Sequence, residues 1–230
     1  MSSEQNLAAW TAYGRHHIDR GTDIPDADRI NWGFWPGGPG AEVMGDLSGK
    51  RVLGIGSGVG KYAAHLVREH GAVVHAVEVS TTQHERAVTR YANVPGLNLI
   101  HADAVEYLKK AEPYDVIYSI HGFGYIDPHR LLPAIATALK PDGRLFFSVL
   151  HTNAAGRGPF QRVTAHPEIL PLAGWEPLNV QMWILGPTLW EDLLVEHGFL
   201  VDKIDVLDAP EDSNPVSCRL FRVRRCVRSR

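Results

Sequence analysis

Cysteine is scarce in this sequence: only Cys218 and Cys226 occur, both near the C-terminus. Two such residues cannot build the disulfide framework of a small secreted domain, and they do not match a paired-cysteine metal motif. If both lie on one strand, at ~3.3 Å per residue they are about 26 Å apart, which is too far for a disulfide. The cysteine content therefore predicts a protein of the reducing cytoplasm.

Long hydrophobic runs and a strong charge of one sign are also missing. No apolar run approaches the ~20 residues of a membrane-spanning helix. The first residues, "MSSEQNLAAW", lack the basic region and apolar core of a secretory signal. The formal net charge of −3 gives no electrostatic attraction to nucleic acid or an anionic membrane, and the basic end "RVRRCVRSR" is expected to be solvated. We therefore expect neither a membrane nor a nucleic-acid partner.

Several catalytic signatures are absent as well. The dinucleotide pattern Gly-x-Gly-x-x-Gly fails, because Val59 closes it when counted from Gly54 and Lys61 closes it when counted from Gly56. The sequence has neither a Walker phosphate loop nor the Gly-x-Ser-x-Gly turn of hydrolases. A histidine pair without a third ligand is common by chance, so no metal is expected.

What remains is an alternation of strands and helices. With 230 residues and 44% hydrophobic composition, the chain suffices for one substantial core. Ser80 or Thr81, Asp103 and Asp127 are expected to cap helices, and "KPDG" at 140–143 is expected to be a turn. Near-continuous apolar strands between helices predict a parallel, doubly wound α/β sheet. Strands are expected at 51–55, 72–78, 97–102, 114–120 and 144–150, and helices at 59–70, 81–92, 103–111 and 128–139.

Three segments fall outside this regular core. The first carries Leu7, Trp10, Tyr13 and His17 at helical spacing, followed by the loop "NWGFWPGGPG". Another is an aromatic-rich stretch at the end of a strand, where parallel sheets bind ligands. We expect a helical lid at 1–50, a ligand-binding core at 51–150, a substrate cap at 151–187 and a closing segment at 188–230, with a helix at 188–198 and antiparallel strands at 199–207 and 216–224.

Three features at successive strand ends indicate a nucleoside ligand. The glycines of "GIGSGVG" alternate at 56, 58 and 60, which allows a sharp turn and a ligand close to the backbone. Glu78 ends the next strand and can accept hydrogen bonds from both ribose hydroxyls. Asp103 follows the third strand and can accept from an adenine amino group. This order predicts a nucleoside that carries no phosphate chain.

Residues 51–150 resemble class I S-adenosylmethionine-dependent methyltransferases. The matching parts are "VLGIGSGVG", "AVEVS", "HADA", "YDVIYS" and "LKPDGRLFFS". The resemblance implies a Rossmann-like seven-stranded sheet with an antiparallel C-terminal hairpin, S-adenosylmethionine as cofactor and S-adenosylhomocysteine as product. It implies that the methionine part lies on Gly56, Ser57 and Gly58, the ribose on Glu78, and the adenine on Asp103 and Ala104. The further expected cofactor contacts are Val79, Ser119, Tyr13 and Trp35.

One position departs from the family pattern. Gly54 stands where the family usually has an acid that helps orient the glycine turn and the methionine amino group. The missing acid predicts either weaker cofactor binding or its replacement by the N-terminal segment, with Tyr13, His16, His17 and Trp35 as candidates. Alternatively, Trp10 and Tyr13 only pack the helix onto the sheet.

Two histidines are candidate bases for methyl transfer. His121 follows the fourth strand and His151 ends the fifth, and a neutral histidine can take a proton from an acceptor hydroxyl or amine. Each can instead be a wall of the pocket. The base-gripping Asn/Asp-Pro-Pro-Tyr/Phe motif of nucleic-acid methyltransferases is replaced by "SIHG".

We therefore expect methyl transfer to a nitrogen or oxygen of a small molecule, by analogy an intermediate of natural-product biosynthesis, in a cytoplasmic monomer or homodimer. Two alternatives stay open. A methyltransferase-like protein can use the bound sulfonium structurally, for a cyclisation or rearrangement. A nicotinamide-dependent oxidoreductase is the other alternative, although the glycine spacing disfavours it.

Overall fold

The computed structural model describes residues 2–226, and the basic residues that follow Cys226 lie outside the described part. The helices are α1 (Ser2–Asp19), α2 (Lys61–His70), α3 (Thr81–Tyr91), α4 (Ala104–Leu108), α5 (Pro128–Ala138) and α6 (Pro187–Glu196). The strands are β1 (Arg51–Ile55), β2 (Val73–Glu78), β3 (Leu97–His101), β4 (Tyr114–Ile120), β5 (Leu139–Thr152), β6 (His166–Leu170), β7 (Leu178–Met182), β8 (Phe199–Asp208) and β9 (Ser217–Arg225).

Seven of the strands form one sheet in the order β3-β2-β1-β4-β5-β9-β8. The neighbours among β1 to β5 pair in parallel, whereas β9 runs antiparallel to both β5 and β8. The predicted seven-stranded α/β sheet with its antiparallel C-terminal pair is confirmed. This order brings the carboxyl ends of β3, β2, β1 and β4 side by side along one edge.

Each face of the sheet has its own hydrophobic core. One core includes Leu53, Ile117 and Phe147 and is covered by α4, α5 and α6. The other includes Val52 and Phe146 and is covered mainly by α2 and α3. Alternate residues of β1 and β5 thus point to opposite faces, as a buried parallel strand requires.

The helix starts follow the capping chemistry of the sequence. Ser80 accepts a hydrogen bond from the backbone of Gln83 at the start of α3, Asp103 caps α4, and Asp127 caps α5. Helix α4 ends at Leu108, earlier than the expected residue 111.

The expected turn at 140–143 is instead part of β5. Leu139 pairs with Tyr114 and Arg144 pairs with Val116, so the residues between them bulge within a strand that continues on both sides. A bulge of this kind accommodates residues that favour turns, and the pairing of β4 with β5 continues on both sides of it.

Helix α1 is held by the inserted segment and by α3. The Asn6 side chain donates to the backbone carbonyls of Tyr125 (3.0 Å) and Gln181 (2.9 Å), and its oxygen accepts from Gln181 N at 2.8 Å. A Cβ on Gly14 would lie 2.2 Å from Thr82 Oγ1, so glycine is needed where α1 meets α3. We call the three hydrogen bonds of Asn6 the Asn6 clamp.

The segment after β5 forms a two-stranded antiparallel sheet of β6 and β7. Trp183, just after β7, donates its backbone N–H to the carbonyl of Gly124 at 2.8 Å. Trp175, in the β6–β7 connection, is 67% exposed and contacts His16 edge to face. Within residues 2–226 no helix is both long and apolar enough to cross a membrane. Both cysteines are free, with Cys218 buried on β9.

Candidate active site

A cavity of about 600 Å³ lies at the carboxyl ends of β1 to β4. Its floor is made of the segments that follow these strands, and α1 forms part of its wall through Leu7, Trp10 and Tyr13. The apolar side chains Leu7 and Trp10 of α1 therefore face the cavity, and the buried residues of the helix are Asn6, Ala9, Gly14 and His16. A volume of this size suits a small-molecule ligand.

The glycine turn between β1 and α2 needs glycine at each alternating position. The φ angles of Gly56, Gly58 and Gly60 are 63°, 54° and 77°, a left-handed conformation that side chains disfavour. Gly58 lines the cavity, and a Cβ built on it would meet no heavy atom within 4 Å, so the backbone there is open to a ligand. Gly60 begins α2 without a side-chain cap, which leaves the helix N-terminus suited to a negatively charged group.

Glu78 connects the glycine turn to the end of β2. Its two carboxylate oxygens accept one backbone N–H each, from Gly58 and from Ser80, both at 2.8 Å. The residue is 7% exposed, and burial raises the pKa of its carboxyl group. Each oxygen keeps a second lone pair, so the carboxylate can also accept from ligand hydroxyls.

Asp103 lies at the end of β3, next along the same edge. One of its oxygens accepts from the backbone of Glu106 at 3.0 Å, which caps α4, and the other is available to a donor. Ala104 and Val79 line the same cavity. The residues expected to contact adenine and ribose therefore surround one space.

These residues fit the adenosyl cofactor that the sequence implies. The backbone at Gly58 is open to a ligand, and Glu78 and Asp103 have free acceptor sites. The glycine turn lacks a phosphate-binding motif, so the site matches a nucleoside without a phosphate chain. Within residues 2–226 no group of three or more histidine, cysteine or acidic side chains is placed to hold a metal ion.

His121 has an unusual backbone and an unpaired side chain. Its φ of 58° makes it the one residue other than glycine with positive φ in the described part of the chain. The strained backbone is held by hydrogen bonds from its N–H to the carbonyl and hydroxyl oxygens of Ser148. Such strain is concentrated at functional sites.

The His121 ring lies against Phe34, with centroids 3.9 Å apart and planes 10° from parallel. Both ring nitrogens are shielded from solvent, and neither makes a hydrogen bond of good geometry, although the Gly33 backbone lies beside the ring. Burial lowers the pKa of the imidazole to about 4. His121 therefore lines the cavity as a neutral ring.

Three of the expected site residues do not line this cavity. Ser119 is fully buried and donates its hydroxyl hydrogen to the carbonyl of Ile55 at 2.9 Å, which ties β4 to β1 below the site. The Nδ1 atom of His151 lies 3.1 Å from Thr152 Oγ1 and 3.3 Å from Ser217 Oγ, so this ring faces β9. Trp35 packs over Gly33 instead of facing the cavity.

Among the candidates in the N-terminal segment, only Tyr13 reaches the cavity. Its ring contacts Trp10 at 5.2 Å and His17 at 4.6 Å. His16 is buried against Trp175 and does not line the cavity.

The sequence reasoning overlooked several residues that line the cavity. Phe34 stands one position before the predicted Trp35, and only the folded loop decides which of the two faces inward. Tyr118 reads from the sequence as an ordinary residue of a buried strand. The signal for it was available, because a bulky residue on β4 can lie beside Gly54 on the neighbouring strand. Tyr62 and Leu170 were overlooked as well, whereas Tyr125 and Trp183, which also line the cavity, lie in segments that the sequence places near the site.

Comparison with known proteins gives the family. A family model described as a methyltransferase domain matches residues 41–204. The ubiquinone biosynthesis O-methyltransferase of Neisseria meningitidis is 34% identical over 113 residues, which cover 47% of this chain and 47% of that protein. The chain thus spans about half the length of the curated relatives it matches.

Solved structures share the fold at low sequence identity. DhpI, solved in complex with SAH, has a TM-score of 0.62 and 15% identity, and the match covers 99% of this chain and 98% of that one. The glycopeptide N-methyltransferase MtfA, solved with sinefungin, has a TM-score of 0.62 and 18% identity, over 81% of this chain and 84% of that one. At such identity these structures show the fold alone. Because the family model covers more than half of the chain, the protein belongs to the methyltransferase-domain family and has the class I S-adenosylmethionine-dependent methyltransferase fold.

Proposed function

We propose that this protein transfers the methyl group of S-adenosylmethionine to a nitrogen or oxygen atom of a small molecule. The observation that carries the proposal is the order of groups around one cavity. Asp103, Glu78, the glycine turn and His121 follow one another along the edge formed by β3, β2, β1 and β4. The first three match the adenosyl cofactor, and the fourth lines the same cavity beyond the glycine turn.

Bound S-adenosylmethionine supplies an electrophilic methyl group on a sulfonium. The protein's own task is to hold the acceptor close and in line, because positioning supplies much of the rate of such reactions. Phe34, Tyr125 and Trp183 provide apolar and aromatic walls on which an acceptor can pack. His121 can accept a proton or a hydrogen bond from the acceptor, and its low pKa makes orientation the larger part of that role.

The acceptor is proposed to be a small, largely apolar molecule with a hydroxyl or amine. The aromatic lining supports this class, and the partial likeness to an O-methyltransferase supports oxygen as one acceptor atom. A role in natural-product biosynthesis, a cytoplasmic location and a monomeric or homodimeric state are further proposals that rest on composition and analogy.

The test is methyl transfer from labelled S-adenosylmethionine to a panel of phenols, catechols and amines, detected by mass spectrometry. We expect the wild-type protein to methylate at least one member. His121→Ala is expected to lower kcat about tenfold or more if its ring contacts the acceptor. His151→Ala is the matched control, since this histidine also ends a strand but does not line the cavity, and we expect less than about a twofold change.

Other outcomes decide between the alternatives. If kcat falls equally and only slightly in the His121→Ala and His151→Ala variants, neither histidine acts as a base, and the rate comes from positioning of the acceptor. Conversion of an acceptor with neither methyl gain nor consumption of S-adenosylmethionine would replace methyl transfer by a cyclisation or rearrangement. Binding of NAD in place of adenosyl ligands would favour an oxidoreductase.

A further inference from the structure

Gly54 and Tyr118 form a matched pair on neighbouring strands. They are direct partners in the parallel pairing of β1 with β4. A Cβ built on Gly54 would lie 2.9 Å from both Cζ and the hydroxyl oxygen of Tyr118. Real Cβ atoms do not approach other atoms this closely, so a side chain at position 54 would require the Tyr118 phenol to move.

The Tyr118 hydroxyl has no partner within the described part of the protein. The residue is 4% exposed, yet it lines the cavity. Its oxygen, although unpartnered, keeps some contact with solvent. The hydroxyl therefore opens toward the cavity. Burial raises the pKa of the phenol, which is therefore neutral and can both donate and accept a hydrogen bond.

The position of this hydroxyl along the edge indicates what it meets. The acidic residues that line the cavity are Glu78, Asp103 and Asp127, which lie on the β2, β3 and α5 side. Beside the glycine turn, at β1, β4 and the start of α2, the polar lining side chains include Tyr118, Lys61 and Tyr62. Among the residues that line the cavity, these elements offer no carboxylate to a ligand ammonium group.

We propose that the Tyr118 phenol, in the space left by Gly54, binds the amino-acid end of S-adenosylmethionine. The inference rests on the proposed function, because it takes this cofactor as the ligand. The phenol oxygen accepts a hydrogen bond from the ammonium group, and the phenol hydrogen is donated to the carboxylate. Tyr118 then acts where the resembled family uses an acid at position 54, so that role does not fall to the N-terminal lid.

The test separates the amino-acid end from the rest of the ligand. Calorimetry on the full chain measures the Kd of S-adenosylhomocysteine and of 5′-methylthioadenosine, which has the adenosine and sulfur but no amino-acid end. Tyr118→Phe is expected to weaken S-adenosylhomocysteine about 10-fold to 100-fold, as for loss of a hydrogen bond to a charged group. The Kd of 5′-methylthioadenosine is expected to change by less than about twofold.

Tyr107→Phe is the matched control. The Tyr107 hydroxyl lies 2.8 Å from Tyr114 Oη and 2.8 Å from His75 Nδ1, and Tyr107 does not line the cavity. We expect this variant to leave both dissociation constants unchanged. If Tyr118→Phe weakens both ligands equally, or neither, the inference is overturned. If the wild-type protein binds neither ligand, the proposed function itself fails. The wild-type measurement alone shows this, so the two failures can be distinguished.

A double variant tests the shared space. Gly54→Asp alone is expected to lose S-adenosylhomocysteine binding, since its carboxylate collides with the phenol. Adding Tyr118→Ser makes room, and we expect affinity within about tenfold of wild type. Tyr118→Ser alone should stay weak. Circular dichroism first shows that all three variants are folded. If the double variant then binds S-adenosylhomocysteine no more tightly than either single variant, an acid at 54 does not replace the phenol at 118, and the inference is contradicted.

Discussion

His121 makes the stability of the folded protein depend on pH. Its pKa is about 4 in the folded protein, below the ordinary value of 6.5, because the neutral ring is buried. The unfolded chain therefore binds a proton at this histidine more readily than the folded one. The associated stability is complete above pH 6.5 and is lost as the pH falls from there toward 4.

We expect His121→Asn to reduce the loss of stability on acidification. Asparagine carries no titrating group and tolerates the left-handed backbone. Between pH 7.5 and pH 5 the free energy of unfolding of wild type should fall by about 2 kcal/mol more than that of the variant. Urea denaturation at several pH values measures this difference, and parallel curves for the two proteins would contradict it. Other buried histidines, such as His65 and His75, contribute equally to both curves.

At the scale of residues, the sequence located the polar edge of the site but not its walls. Glu78 and Asp103 could be placed because each ends a buried strand, and strand ends converge in a parallel sheet. Trp35 and Ser119 are expected cofactor contacts on the family resemblance, whereas the direction of a loop residue or the depth of a strand residue depends on packing. The pairing of Gly54 with Tyr118 depends on strand order, which the local sequence does not state.

At the scale of elements, α1 depends on the Asn6 clamp. Asn6→Ala removes all three hydrogen bonds and leaves backbone groups of Tyr125 and Gln181 without partners, which costs roughly 1–3 kcal/mol for each group that stays buried. We expect faster hydrogen exchange throughout α1 and weaker binding of S-adenosylhomocysteine.

Gln5→Ala is the comparison for the clamp. Gln5 makes longer, exposed hydrogen bonds to the same strand, at 3.3 Å to Asn179 O and 3.4 Å from Gln181 Nε2. Its loss should leave exchange in α1 nearly unchanged. Equal protection of α1 in the Asn6 and Gln5 variants would show that the clamp does not hold the helix.

The regular elements were predictable and the inserted hairpin was not. Strands β1 to β4 are short apolar runs with capped helices between them, so local signals and global packing agree. In β6, "HPEIL" contains a proline and little apolar alternation, and its pairing with β7 is supported by α1, which is far away in sequence. The strand bulge at 140–143 is likewise predicted as a turn, because Pro, Asp and Gly in "KPDG" are residues that favour turns.

At the scale of the whole molecule, ligand binding should be visible as thermal stabilisation. S-adenosylhomocysteine at a concentration 100 times its Kd adds about 2.7 kcal/mol to the free energy of unfolding. For a chain of this length that corresponds to a rise in Tm of about 5–10 °C. Differential scanning fluorimetry checks this, with NAD as the negative ligand.

Glu78→Gln should reduce that rise, because an amide cannot accept from both the backbone and the ribose hydroxyls as a carboxylate does. An equal rise in Tm for wild type and Glu78→Gln would contradict the placement of the ribose. A rise with NAD but not with S-adenosylhomocysteine would contradict the cofactor.

The contact between Gly54 and Tyr118 also limits how this chain can change over time. A side chain at position 54 collides with the phenol, and removal of the phenol alone leaves an unfilled space in the core. An acid at 54 is therefore best accommodated together with a smaller residue at 118. We therefore expect the two positions to covary among relatives of this protein, with large residues at 118 found beside glycine at 54.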